Sequence, residues 1–373
     1  MSKWMRVAGV ASLAGVALLA GACSDALGPK PEFAVVPGER NSQLNATGTA
    51  ILKGFNPVNP HRGDAIVATF FWVGATNIIT SVSDHLTNQT PVGNAYTQVE
   101  YVTAGGISMA TYVATNVQNF PDPYDERVTP GDSILVVQAN LSTPITAGGM
   151  MISSYSGVVP VVSHALGGHS SAFGTGTSPT TADPGAIPVQ AGALVYGVTL
   201  ADAVVGLEPP PGFANVHNMS NASMKADGEY RIQGATGSVD PQWIWFFDSP
   251  SSPRTWLATV LALNPAATQL AFQVQPSKTL PFATITPAVR VAAVDDQGNT
   301  VTSFTGSVTI AIGHNGGLLL PGTLSGTRTV PFVNGVATFT DLSIDHLGMG
   351  YTLRATASGL RDAESAAFNI SAF

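Results

Sequence analysis

The sequence predicts an all-β protein: two β-sandwich units behind a removable leader and a flexible tether. Three observations carry that expectation. Short apolar runs with period-two alternation recur along most of the chain. Turn formers are abundant, with 39 Gly and 26 Pro in 373 residues. No window sustains a 3.6-residue apolar period beyond three turns, so little helix is expected. Hydrophobic residues make up 45% of the chain, enough for true cores, while charged residues make up only 10%. The charged share is well below the roughly 25% of ordinary soluble domains. The polar surface must therefore consist mainly of Ser, Thr, Asn, Gln and Gly.

Residues 1–22 have the three zones of an export signal. Lys3 and Arg6 form a positive start, and Val7 to Ala20 form an apolar run too short to span a bilayer comfortably. Small residues Ala20, Gly21 and Ala22 then precede Cys23, the only cysteine. Read as Ala-x-Ala, this segment is an ordinary signal-peptidase site that leaves a soluble chain. Read as "LAGAC", it resembles the lipobox of bacterial lipoproteins, although Ala20 stands where that family prefers Leu. The resemblance implies that Cys23 is the lipid-attachment residue, and Ser24 after it resembles the outer-membrane sorting pattern. A lone exposed thiol in an oxidising compartment has no partner here, which favours acylation. Residues 23–45 lack sustained periodicity and read as a lipid-anchored tether, roughly 25 Å long as a coil.

Residues 46–265 read as a run of strands, among them "RGDAIVATFFWVG" and "QAGALVYGVTLAD". These two share a polar residue, a Gly and then apolar residues, each after a proline, which suggests a duplication with equivalent strands starting near Gly63 and Gly192. Ser170 to Pro188 reads as a long connection. The region resembles the jelly-roll modules found beside Ig-like domains in exported bacterial proteins, which implies a β-sandwich.

Residues 266–373 form a second set of short strands. "DDQGN" and "VNGVA" are hairpin turns by type, with Asn and Gly supplying positive φ. "VAAVDDQGNTVTSFTGSVTIAI", "NGVATFTDLSID" and "GYTLRATA" together resemble bacterial Ig-like modules. "DHLGMGYTL" is similar to the Ig tyrosine corner, with Tyr351 two residues before a core position that antibody domains fill with cysteine and this chain fills with Leu353. The resemblance implies a spacer or adhesive module held by core packing alone.

Candidate chemistry is sparse. His164 and His169 in "SHALGGHSS" could give two imidazoles to a metal, but zinc needs three or four ligands and this spacing is no standard pair. "SYSGV" and "GATGSVD" miss the nucleophile elbow of a serine hydrolase. Asp122, Asp125 and Glu126 are close in sequence, yet acidic turn residues are usually solvated. Asp295, Asp296 and Asn299 are too few for calcium. The Arg62–Asp64 tripeptide opens a strand and is read as coincidence.

"DPQWIWFFDSP" is the candidate ligand surface. Strand alternation puts Trp243, Trp245 and Phe247 on one face and Ile244 and Phe246 on the other. Trp243 and Trp245 could stack on sugar rings, although large aromatics are also good core residues.

The net charge is −8 and there is no basic cluster, so nucleic acid is disfavoured as a partner. No metal, cofactor or catalytic residue is expected. The sequence thus reads as a non-catalytic binding or adhesive module for polysaccharide or a surface protein. A membrane is the partner through the N-terminal lipid, at the outer membrane or cell surface. A structural spacer, a secreted hydrolase with an unrecognised site, and a periplasmic or secreted soluble location stay open as alternatives.

Overall fold

The computed structural model describes residues 35–121, 133–203, 206–247, 252–295 and 298–372. The chain is nearly all β, 58% strand and 1% helix, in several sheets. Three sandwich-like assemblies follow one another along it.

The first module holds β1 (Val36–Gly54), β2 (Ala65–Val73), β3 (Ile79–Leu86), β4 (Thr97–Ala104), β5 (Ile107–Ala114) and β6 (Leu135–Ser156). Its large sheet has the order β1-β6-β2-β5-β4. β6 is long enough to serve two sheets: Gly148–Tyr155 pairs with β2, and Leu135–Leu141 pairs with β3. β1 follows it around the bend through register shifts between Leu44 and Ala50.

The second module opens with a one-turn helix, α1 (Val162–Ala165). It continues through β7 (Leu166–Gly176), β8 (Thr180–Ala182), β9 (Ile187–Val189), β10 (Leu194–Ala201) and β11 (Gly206–Glu208). β12 (Ala214–Ser220), β13 (Lys225–Ile232), β14 (Gly237–Val239), β15 (Trp243–Phe246) and β16 (Arg254–Leu263) complete it. Read from β7, its large sheet is β7-β16-β10-β13-β12, which repeats the first module's order strand for strand. Its small sheet, β8-β15-β11, repeats the arrangement that the end of β1, the start of β6 and β3 make in the first module. The duplication suggested by Gly63 and Gly192 is therefore visible in the topology. Both glycines have positive φ, +90° and +79°, in the turns that launch the two central strands.

The sequence leaves open whether residues 46–265 form one sandwich or two; the structure shows two copies stacked by their large sheets. Val67, Phe71 and Met109 of the first meet Tyr196, Val198 and Leu261 of the second in one shared core. Ile66, Phe70 and Trp72, on the opposite face of β2, fill a separate core. The central strands are thus buried on both faces. Inside the shared core Thr69 Oγ1 lies 3.0 Å from Thr111 Oγ1 and 3.1 Å from Tyr196 Oη, so the hydroxyls satisfy one another across the modules.

Two sequence boundaries need correction. Val36–Asn45 is not tether but the first half of β1, paired from Val36↔Ser156 to Leu44↔Gly149. This half of β1 is a sheet edge held by main-chain bonds, and Pro37, Gly38 and its bulges erase side-chain alternation. Ser170–Pro188 is not a plain connection, since it contains most of β7 together with β8 and the start of β9.

The C-terminal assembly contains β17 (Gln269–Val274), β18 (Val289–Val294), β19 (Ser307–Ile312), β20 (Leu324–Ser325), β21 (Thr329–Pro331) and β22 (Val336–Phe339). β23 (Ser343–Ile344), β24 (Gly348–Tyr351), β25 (Leu353–Thr356), β26 (Ala363–Glu364) and β27 (Phe368–Ile370) follow. Sheet β17-β18-β22 and sheet β21-β19-β25-β26 enclose a core that includes Val291, Phe339, Ile310 and Leu353. Asn334 and Gly335 take φ of +50° and +72° in the tight turn between Val333 and Val336, as that sequence predicts. Gln190 Oε1 accepts bonds from the Thr302 main chain and hydroxyl (3.2 and 2.7 Å), and Ala266 N donates to Gly157 O, fixing this sandwich to the preceding modules.

Tyr351 is fully buried, and its hydroxyl donates to the carbonyl of His346, five residues upstream, at 3.1 Å. Tyr351→Phe is expected to cost the C-terminal sandwich about 1 kcal/mol. Hydrogen exchange at the Ile310 and Leu353 amides checks this: unchanged protection would show that the corner bond adds nothing.

Candidate functional site

The aromatic segment sits in β15, the middle strand of the second module's small sheet. Its alternation follows the sequence reading. Trp243, Trp245 and Phe247 are buried, Ile244 is half-buried and Phe246 is exposed. Trp243 and Trp245 both have 0% exposure, so neither can present a face to a sugar. They are core residues, held by polar handles: Trp245 Nε1 donates to Thr199 Oγ1 (3.2 Å) and Trp243 Nε1 to Asp227 Oδ2 (3.1 Å). Gly197 has no side chain because a Cβ there would meet the Trp243 ring at 2.7 Å.

Asp227 belongs to a buried acid pair that sequence reasoning missed. Asp227 and Glu229 lie two residues apart on one face of β13, exposed by 1% and 2%. Asn218 Nδ2 donates to Asp227 (2.8 Å), and Asn215 Nδ2 to Glu229 (2.9 Å). Burial and the neighbouring Glu229 charge push the Asp227 carboxyl up to about 7, and burial also raises Glu229. Such a pair can hold one proton between two carboxyls, but it is closed to substrate.

The remaining candidates do not converge. His169 Nδ1 lies 2.6 Å from Glu100 Oε1, bridging β7 to β4. His164 sits in α1, where its carbonyl accepts from Asn264. Among the described residues no three His, Cys, Asp or Glu side chains gather as a metal site. Asp295 caps its own turn by accepting from Asn299 N (2.8 Å) and Nδ2 (3.1 Å). Arg62 Nε donates to Phe120 O, and buried Asp64 accepts from His61 N, so the tripeptide closes a turn. Cys23, Asp122, Asp125, Glu126 and Asp296 lie outside the described residues.

A cleft of about 490 Å³ opens beside the start of β1, with Glu39, Asn59, His61, Asp64, Ser154 and Ser156 on its walls. Much of this polar lining is turned to the protein's own main chain. Asn59 binds Pro121, Ser133 and Leu135, and Ser154 binds the Glu39 carbonyl. No Phe, Tyr or Trp side chain lines it.

No protein-family model, curated protein or solved structure matches the chain. Its own surface is therefore the guide to function.

Among the described residues that surface has one concentrated feature. Three loops meet at the end of the C-terminal sandwich farthest from the Gln190–Thr302 junction, and each exposes large apolar side chains. Leu280 and Phe282 come from the β17–β18 connection, Leu318, Leu319 and Leu320 from the loop after β19, and Leu347 and Met349 from the turn into β24 and the start of that strand. Leu319 is 95% exposed and Phe282 76%. Main-chain bonds tie the loops together: Leu318 N to Leu347 O (3.1 Å) and Met349 N to Gly316 O (3.0 Å). The signal was present in "GGLLLPG", where three leucines between Gly-Gly and Pro-Gly cannot continue a buried strand.

Proposed function

We propose that the chain is a lipid-anchored envelope protein acting as a non-catalytic binding or adhesive module, with a bacterial Ig-like sandwich as its terminal unit. The observation that carries the binding role is the cluster of seven exposed apolar side chains on three loops. Contiguous exposed apolar surface of that kind marks contact sites in soluble proteins. The leader and Cys23 support the anchor, and Tyr351 with its corner bond supports the Ig-like assignment. The burial of Trp243 and Trp245 removes the ground for an aromatic sugar platform.

Two measurements test this reading. The intact mass of the mature N-terminus is expected to show Cys23 as the first residue, carrying diacylglycerol; an unmodified thiol would remove the anchor. The soluble portion, Ser24–Phe373, is expected to be retained by at least one purified envelope fraction: membrane fragments, peptidoglycan or polysaccharide. That retention should fall when Leu319→Asp is combined with Phe282→Ser. A pure spacer would be retained by none.

A further inference from the structure

We propose that the apolar end of the C-terminal sandwich inserts into a lipid bilayer surface, a second attachment point beside the N-terminal anchor. This rests on the envelope reading above and names the partner of that surface.

The first argument is charge. Residues 279–285, 315–322 and 347–350, which form the three tips, contain no Asp, Glu, Lys or Arg. A protein–protein interface normally carries a polar rim around its apolar centre, whereas charge-free tips suit hydrocarbon. The nearest acid, Asp345, is turned onto the loop itself, accepting from Thr323 N (2.6 Å) and pairing with His346 Nδ1 (2.7 Å). Lys278 stands exposed just before the first tip, where a long cationic side chain can reach headgroup phosphates.

The second argument is the backbone. Entering a bilayer costs free energy for every unpaired main-chain polar group. Here several of the loop amides are already paired within the protein. Phe282 N donates to Ile344 O (2.9 Å), and Ala283 N to Leu280 O (3.2 Å). Gly317 N and Gly322 N both donate to Asn315 Oδ1 (3.3 and 2.9 Å), alongside the bonds of Leu318 and Met349. These bonds lower the polar cost of shedding water around the tips, and Leu319 stands almost clear of its own protein.

The third argument is reach. β1 begins opposite Ser156, next to the Gly157–Ala266 bond where the C-terminal sandwich starts. The apolar end lies one strand length away, about 20 Å plus loops. The segment from Cys23 to Val35 extends to about 40 Å at most, so one bilayer can hold both the acylated Cys23 and the loop tips.

Sedimentation of Ser24–Phe373 with lipid vesicles tests the proposal. This portion contains the whole unit Pro31–Phe373, which clusters as one compact body, and lacks Cys23, so acylation plays no part. Partition is expected onto both phosphatidylcholine and phosphatidylethanolamine–phosphatidylglycerol vesicles, and it should persist at high salt because the contact is apolar. A Leu319→Trp variant should shift its emission to the blue on adding vesicles. Combining Leu319→Asp with Phe282→Ser should cut partition by roughly ten-fold or more, with far-UV circular dichroism and melting unchanged because both side chains are exposed. Absent partition, or partition equal in the double variant, would overturn the proposal. So would concentration-dependent self-association abolished by the same substitutions, which would make the patch a contact between copies. Retention on peptidoglycan or polysaccharide without vesicle binding would overturn the lipid inference and leave the binding role intact. Vesicle binding by a chain whose natural N-terminus proves unacylated would do the reverse to the anchor.

Discussion

Trp243→Ala is expected to destabilise the second module by about 3–5 kcal/mol, among the largest effects of any single substitution in the chain. The side chain is fully buried in the middle strand of a three-stranded sheet, against a glycine kept bare for it. Truncation leaves a cavity the size of an indole in a core that also includes Trp245, Trp256 and Phe247. It also removes the Nε1 donor from Asp227, so a buried carboxyl loses one partner. Trp243→Phe should recover most of the packing but not the hydrogen bond, and should fall between the two. Urea unfolding followed by intrinsic fluorescence and circular dichroism measures both. A Trp243→Ala protein as stable as the parent, but defective in sugar binding, would restore the ligand role that burial argues against.

That outcome depends on a feature half legible in the sequence. Period-two alternation placed Trp243, Trp245 and Phe247 on one face, which the structure shows. Alternation cannot say which face is inside when both carry large side chains. The hairpin at Asn334–Gly335 was readable because positive φ at two successive residues has few sequence solutions. The equivalence of Gly63 and Gly192 was readable for a similar reason, since each must turn the chain into a central strand. The stacking of two modules was harder to see. Its signal is the loss of alternation in "AIVATFFWV" and "LVYGVTLA", nearly continuous apolar runs because β2 and β10 are buried on both faces. The first half of β1 was illegible because an edge strand's register is held by main-chain bonds that side-chain patterns do not record. The acid pair was illegible for a different reason. "KADGEYRI" looks like a solvated strand until Asn215 and Asn218 arrive from β12 and Trp243 from β15.

The same acid pair makes stability depend on pH in an uncommon direction. Asp227 titrates near its ordinary value of 3.8 when unfolded, but burial first, and then the Glu229 charge, push it up to about 7 in the fold. The folded state therefore binds more protons than the unfolded state between those two values. The stabilising contribution of the protonated pair is full below about pH 4, falls as pH rises, and is gone above about pH 7. The rise from 3.8 to about 7 sets a ceiling of about 4 kcal/mol on the loss. Asp227→Asn keeps the shape and cannot ionise; its carbonyl oxygen accepts from the Trp243 indole, and the Asn218 amide turns its own oxygen toward the new Nδ2. It should match the parent in acid and exceed it by up to a few kcal/mol at pH 8. Stability measured by urea from pH 4 to 9 for both proteins decides the matter. Parallel curves would mean that the two carboxyls do not share a proton; a gap that opens between pH 4 and 7 and then stays constant is the expected result. Most acid pairs stabilise a fold by ionising against cations, whereas this one lies between asparagines and an indole, all hydrogen-bond donors without charge. Neutral donors can orient a carboxyl but cannot repay the desolvation of two negative charges, so below about pH 7 the fold keeps a proton there instead.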